Sequence, residues 1–171
     1  MPFSIDDGWQ QISISVPVPC DGVGQREGTA PTFKVDGVWC RKPLDVIKRA
    51  LSEPSAELFH LAPFRSYWNT PDGTKERLFG ETYTADVFLE EYEKICEARR
   101  EKGDTATETV VIGLSLSSDS THLTSFGNAA LHPVYLYLTN QTKYDRASPS
   151  ALAAHHLAYL PKVLWLSWFQ S

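Results

Sequence analysis

Charge is spread very unevenly along this chain of 171 residues, and that unevenness most constrains what it can fold into. Residues 32–107 hold 12 basic and 14 acidic side chains. Residues 108–171 hold only Lys143, Arg146 and Lys162 against Glu108, Asp119 and Asp145. A stretch so poor in charge and so rich in Val, Leu, Tyr and Trp leaves water only at a free-energy gain, so it reads as core. Within it, TVVIGLSLS (109–117) is a run of β-favouring residues that predicts a strand buried on both sides. PVYLYLTN (133–140) predicts a second strand, and ALAAHHLAYLPKV a third strand or a short helix. QTKYDRASPS between them reads as a polar link. The tail, 164–171, is apolar, and Trp165, Trp168 and Phe169 are expected to be partly exposed or to fold back onto the core.

Length and composition agree with one globular domain. Hydrophobic residues make up 42%, which excludes a disordered chain. The net charge of −5 argues against a free-standing nucleic-acid binder, which would carry a basic face. Cys20, Cys40 and Cys96 are far apart, with no CxxC pair, so reduced thiols are expected rather than a disulfide scaffold or zinc site. MPFSIDDGWQ lacks the basic and apolar regions of a secretory signal, and no apolar run approaches a bilayer span. The expectation is an intracellular protein of nucleus or cytoplasm, without membrane contact.

The first two thirds mix strands and helices. In QISISVPV (11–18), Ile12, Ile14, Val16 and Val18 alternate as in a half-buried strand, and Pro17 pushes it to a sheet edge. PCDGVGQREGTAP (19–31) predicts a loop. Asp36-Gly37 predicts a hairpin turn inside Thr32–Cys40. Pro43 opens a helix over about 43–53, with Leu44, Val46, Ile47, Ala50 and Leu51 as its buried stripe. Pro71-Asp72-Gly73 predicts a turn after an extended, aromatic 58–69. The clearest helix runs from about 85 to 102. Thr84 is its expected N-cap, Val87, Phe88, Tyr92, Ile95 and Cys96 its apolar face, and Gly103 its stop.

Few residues suggest chemistry. Asp119 follows the apolar strand 109–117, within Ser117-Ser118-Asp119-Ser120-Thr121-His122. A strand-borne carboxylate can help hold a pair of Mg²⁺ ions for phosphoryl transfer, though a strand-end Asp also commonly forms turns. A Ser-His-Asp triad from Ser120, His122 and Asp119 is rejected, because the three lie too close in sequence. His155 and His156 alternate across a strand and cannot chelate from one side. His60 and His132 sit among apolar neighbours and read as core or loop histidines. Lys143, Tyr144 and Arg146 form the single basic-aromatic cluster of the last third, a candidate phosphate contact or a solvated loop.

The chain resembles the Plavaka-type transposases, a group similar to the CACTA-like cut-and-paste DNA transposases. The residues that carry the likeness are Asp7-Gly8-Trp9, FHLAPFRSYW (59–68), Gly80–Asp86, SDSTHLTSFGNAALHPVYLYLTNQTKYDR (118–146) and AAHHLAYLP (153–161). The 118–146 block is the specific one. The resemblance implies an RNase H-like fold, a catalytic triad of Asp, Asp and Glu, Mg²⁺ as cofactor and DNA ends as substrate. It marks Asp119 as the first of the three acids.

The expected fold class is therefore α+β, or an incomplete α/β: a β-rich N-terminal piece, one long helix and the first strands of an RNase H-like sheet. The expected division is a transposase-like region over 1–107, the start of a catalytic core over 108–163 and the apolar tail. After Asp119 the sequence holds one more acid, Asp145, so these residues cannot assemble three carboxylates. The resemblance thus implies a truncated transposase-like protein without catalysis, with no cofactor of its own, weak or absent DNA binding and self-association through the tail. The alternative is a non-enzymatic module that binds a full-length partner.

Overall fold

The computed structural model describes residues 3–17, 31–103, 108–122 and 130–161. The predicted loop 19–31, except Pro31, and the apolar tail from Lys162 lie outside the described residues, as do Phe126, Gly127 and Asn128. The architecture is mixed α/β: a mostly antiparallel sheet, a separate two-stranded ribbon and three helices. The chain divides into two compact units, one drawn from 1–48, 117–135 and 156–171, the other from 49–116 and 136–155.

The larger sheet runs, in order, through β1 (Gln10–Pro17), β2 (Thr32–Cys40), β8 (His155–Leu160), β7 (Ala130–Leu138) and β5 (Leu114–Ser118), with the short β6 (Thr121–His122) also paired to β7. β1 (Gln10–Pro17) is an edge strand, as Pro17 predicts, and its apolar face is partly covered: Ile14 is part-buried, Ile12 37% and Val16 44% exposed, while Val18 lies outside the described residues. β2 (Thr32–Cys40) runs unbroken beside it, so Asp36-Gly37 does not turn the chain. Ile12 faces Val38 and Ile14 faces Val35, so β2 spends one residue more than β1 across this step. The surplus is a β-bulge at Gly37, whose φ of +81° is open to glycine and costly for other residues. The Ser13 hydroxyl donates to the Asp36 carboxylate across the bulge, and Lys34 pairs with the same carboxylate at 2.9 Å. The dipeptide that closes hairpins also builds bulges, because both need a left-handed glycine.

β8 (His155–Leu160) pairs with β2, Trp39 facing Tyr159, which resolves the third apolar segment as a strand. Around that register Phe3 lies 4.9 Å from Trp9, 5.0 Å from Trp39 and 5.0 Å from Tyr159. Gly8, at φ +80°, turns the chain so that Trp9 enters this aromatic cluster. Trp9, Val38, Val46 and Pro133 form the buried centre of the first unit.

α1 (Pro43–Ser52) begins at its proline as predicted, but buries only Val46 and Ala50; Leu44 is 60% exposed. β3 (Ser66–Asn69) and β4 (Lys75–Leu78) form the ribbon around the predicted turn at Pro71-Asp72-Gly73. α2 (Asp86–Glu101) matches the predicted helix, with Asp86 in its first turn and Arg99 and Arg100 in its last. Two details differ. Its N-cap is Ala85, and Thr84 instead closes the preceding single turn Thr82–Thr84, donating to the Glu81 carbonyl at 2.7 Å. Its buried pair is Phe88 and Leu89, whereas Val87 points outward. Tyr92, Ile95 and Cys96 are part-covered, so the predicted stripe holds except that Leu89 takes the place of Val87.

The predicted doubly buried strand 109–117 is also corrected. Residues 109–113 are extended without strand pairing, and β5 (Leu114–Ser118) is exposed throughout, Leu116 by 63%. β-propensity reports a preference for pleated backbone and leaves open whether both faces are covered. β7 (Ala130–Leu138) carries the burial instead, through Pro133, Leu136 and Leu138. The polar link after it is ordered as α3 (Lys143–Ala147) and a single turn at Pro149–Ala151.

Candidate functional site

β5 leads into an exposed two-residue interval, Asp119-Ser120, before β6 (Thr121–His122). The Ser118 hydroxyl donates to the Pro133 carbonyl at 3.0 Å, and Thr121 faces Leu131 in the β6–β7 pairing. Thr139 N–H donates to the Gly113 carbonyl at 2.8 Å. Partner numbers on β7 fall as those on the opposing segment rise, which is the antiparallel sense. The pairings share one register, so β5 and β6 run on along β7, and Asp119 sits in the exposed interval between them. Among the described residues no three His, Cys, Asp or Glu side chains gather as a metal site. A two-Mg²⁺ centre needs bridging carboxylate oxygens from several side chains, so the described donor set does not by itself fit that cofactor.

The Lys143-Tyr144-Asp145-Arg146 segment is a capped turn of helix. The Thr142 hydroxyl accepts from the Asp145 N–H at 3.2 Å and donates to its carboxylate at 2.6 Å. Asp145, the last acid of the sequence, is thus engaged in capping. Arg146 turns inward: its guanidinium donates to the Gln141 carbonyl and pairs with Glu81 at 3.4 Å, where both side chains are largely covered. Glu81 also accepts the Lys143 N–H at 2.8 Å. Of the three predicted contact residues, then, Arg146 fastens the segment. Lys143 and Tyr144 face solvent together, the ammonium 5.3 Å from the ring centroid.

Sequence reasoning missed the residue that organises this region. Asn140 is fully buried. Its side-chain oxygen accepts from Gly113 N–H at 2.9 Å, and its amide donates to the His60 and Val111 carbonyls, both at 3.0 Å. Its own carbonyl accepts the His60 N–H at 2.8 Å. His60 stacks on Tyr83 at 4.4 Å, and burial, followed by the Glu81 charge, pushes the Tyr83 phenol pKa up. The side-chain amide thus ties Asn140 to His60 and to 111–113, and His60 brings in 80–86 by stacking on Tyr83. Three of the blocks that carried the likeness meet at this knot. Two others, Asp7-Gly8-Trp9 and 153–161, meet in the aromatic cluster, where Trp9 lies 5.4 Å from Tyr159.

A family model for the Plavaka transposase matches residues 4–165. The chain belongs to the Plavaka transposase family. The match takes in both knots and Asp119, so the Plavaka likeness covers nearly the whole chain rather than one block. No curated protein matches this Plavaka sequence, and no solved structure matches it.

Near the aromatic cluster, Arg41 donates to the His156 carbonyl at 2.8 Å and its guanidinium lies over the Trp9 ring at 4.9 Å. Tyr159 O–H lies 2.6 Å from His156 Nδ1. Burial, then the Arg41 charge, lowers the His156 pKa, and burial raises that of Tyr159. This group reads as a structural joint of the Plavaka domain. Cys40 and Cys96 are free, and no described helix is long and apolar enough to cross a membrane.

Proposed function

We propose that this chain supplies the opening strands of an RNase H-like catalytic core in a cut-and-paste DNA transposase, with Asp119 as its first metal-holding acid. By the same reading, the 171 residues alone do not cleave DNA. The observation that carries the proposal is the exposed Asp119 carboxylate at the end of β5, inside a chain matched almost end to end by the transposase family. The ordered run β5, β7, β8 supports it, since successive strands that are also neighbours form one end of a sheet. Inactivity is supported by the donor set: the one later acid, Asp145, is engaged by Thr142. Without further carboxylates there is no charge clamp for the attacking and leaving oxygens.

DNA is the expected partner, and Lys143 and Tyr144 are its proposed contacts on the outer side of α3, while Arg146 holds that turn against Glu81. The test is a nicking assay on supercoiled DNA with Mg²⁺ or Mn²⁺, wild type beside Asp119→Ala. No cleavage by either protein is expected. Metal-dependent nicking that disappears in Asp119→Ala overturns the inactive reading and retains the catalytic role.

The exposure of Leu114 and Leu116 on β5 favours a second reading, a module that pairs this strand with another chain. Light scattering separates the two: the module predicts a discrete complex that Leu116→Lys dissolves.

A further inference from the structure

The β3–β4 ribbon is unexplained by core formation. It is a two-stranded sheet of its own, and most of its residues are exposed on both faces. An isolated hairpin of this size is marginal in water, so a chain that retains one with large exposed rings is holding them for something other than burial. The register separates the faces. Tyr67 opposes Arg77 and Asn69 opposes Lys75 on one; Trp68 opposes Glu76 and Ser66 opposes Leu78 on the other. Tyr67 is 51%, Trp68 55%, Phe79 67% and Phe64 44% exposed. Four of the five large apolar side chains on and beside the ribbon are therefore aromatic, Leu78 being the exception.

The ribbon is also held still. Arg77 donates to the Thr84 carbonyl at 2.7 Å and to Asp86 at 3.2 Å, and its guanidinium lies 4.9 Å from the Phe79 ring and 5.6 Å from Tyr67. At the tip, Asp72 accepts from Thr70 and from the Thr74 N–H at 3.1 Å. Two of the acids are away from the Tyr67 face, Asp72 engaged in the turn and Glu76 on the opposite face, while Asp86 beside it is paired with Arg77. What that face offers a ligand is the Tyr67 ring, the Lys75 ammonium and the Asn69 amide, Arg77 being engaged by Asp86 and Thr84. Flat rings beside cations match nucleobases beside phosphates, and a base offers its π-face only when it is unpaired from its stack.

We propose that the β3–β4 ribbon is a stacking surface for single-stranded DNA, with Tyr67 and Trp68 as base platforms on its two faces and Lys75 as a phosphate contact. The proposal rests on the DNA reading above and adds to it the state of the strand that is bound. The test is fluorescence anisotropy of a labelled 20-nucleotide oligo(dT) and of a duplex of equal length, with the full 171-residue chain at low salt and then at higher salt. Tyr67→Ala and Trp68→Ala should each weaken oligo(dT) binding about tenfold, an effect that persists at higher salt. Tyr67→Phe and Trp68→Phe should restore most of it, while Tyr67→Leu and Trp68→Leu, which keep apolar bulk, should not. Lys75→Gln should flatten the salt dependence by about 0.7 in the log–log slope.

Wild type that binds oligo(dT) with no loss in the alanine and leucine variants overturns the ribbon assignment and leaves the DNA reading standing. Wild type that binds neither oligo(dT) nor duplex overturns both. A ribbon whose alanine variants lose self-association by light scattering, with DNA affinity unchanged, is a protein interface, and the assignment fails.

Discussion

Asn140 sets the energetics of the second unit at the scale of single residues. Asn140→Ala strands the His60 and Val111 carbonyls and the Gly113 N–H in a dry site. At about 1–3 kcal/mol for each unmet group, the loss should exceed about 3 kcal/mol by urea unfolding. Asn140→Asp should do no better, because an oxygen then faces two carbonyls. Gly113 is tied to the same knot: a Cβ there would lie 2.2 Å from Thr139 Oγ1 and 3.0 Å from Phe88. Thr139 Oγ1, which has no hydrogen-bond partner among the described residues, occupies the space a side chain at 113 would need. Gly113→Ala should cost about 1–3 kcal/mol, and adding Thr139→Ala should recover part of it, a coupling measurable in a double-mutant cycle. None of this was legible in sequence. Asn140 lies in a polar run that reads as loop, and its partners are 27 or more residues away. His156 gives the pH dependence. Its pKa is lowered on folding, first by burial and then by Arg41, so the unfolded chain takes up the extra proton. Stability is fully present above the unfolded value near 6.5 and is lost as pH falls towards the folded value, an effect that His156→Gln should remove from melting curves.

Among the elements, α2 was the easiest to read, because charge order along a helix and an apolar stripe report the same segment. β1, β7 and the turn of the β3–β4 ribbon were legible for similar reasons. The bulge at Gly37 was not, since Asp-Gly signals a left-handed glycine without saying whether the strand turns or continues. Gly37→Val should cost about 1–2 kcal/mol per left-handed residue and loosen the β1–β2 register, visible as faster amide exchange in both strands. α3 divides its charged residues by role. Arg146→Leu leaves Glu81 without its cation and should lower stability by about 2 kcal/mol, below a fully buried pair because both groups keep some solvent. Lys143→Gln and Tyr144→Ala should leave the melting temperature unchanged and weaken DNA binding.

Over the whole molecule, the blocks that identify the family are those that meet in the two packed knots, so most of the likeness reports on folding rather than on chemistry. Asp119 is the exception: it is exposed and makes no packing demand on its neighbours. The sparse charge of the last third predicts a core, and 109–117 a strand buried on both sides. The structure instead covers β7 and leaves β5 open, because apolar composition fixes the total to be buried and not which strand faces solvent. Among the described residues Asp119 belongs to no cluster of three metal-ligating side chains. Calorimetric titration of the 171-residue chain with Mn²⁺, wild type beside Asp119→Asn, tests this most directly. Weak uptake, no more than a single ion and diminished in Asp119→Asn, is the predicted result; tight binding of two ions per chain, abolished by that substitution, contradicts it.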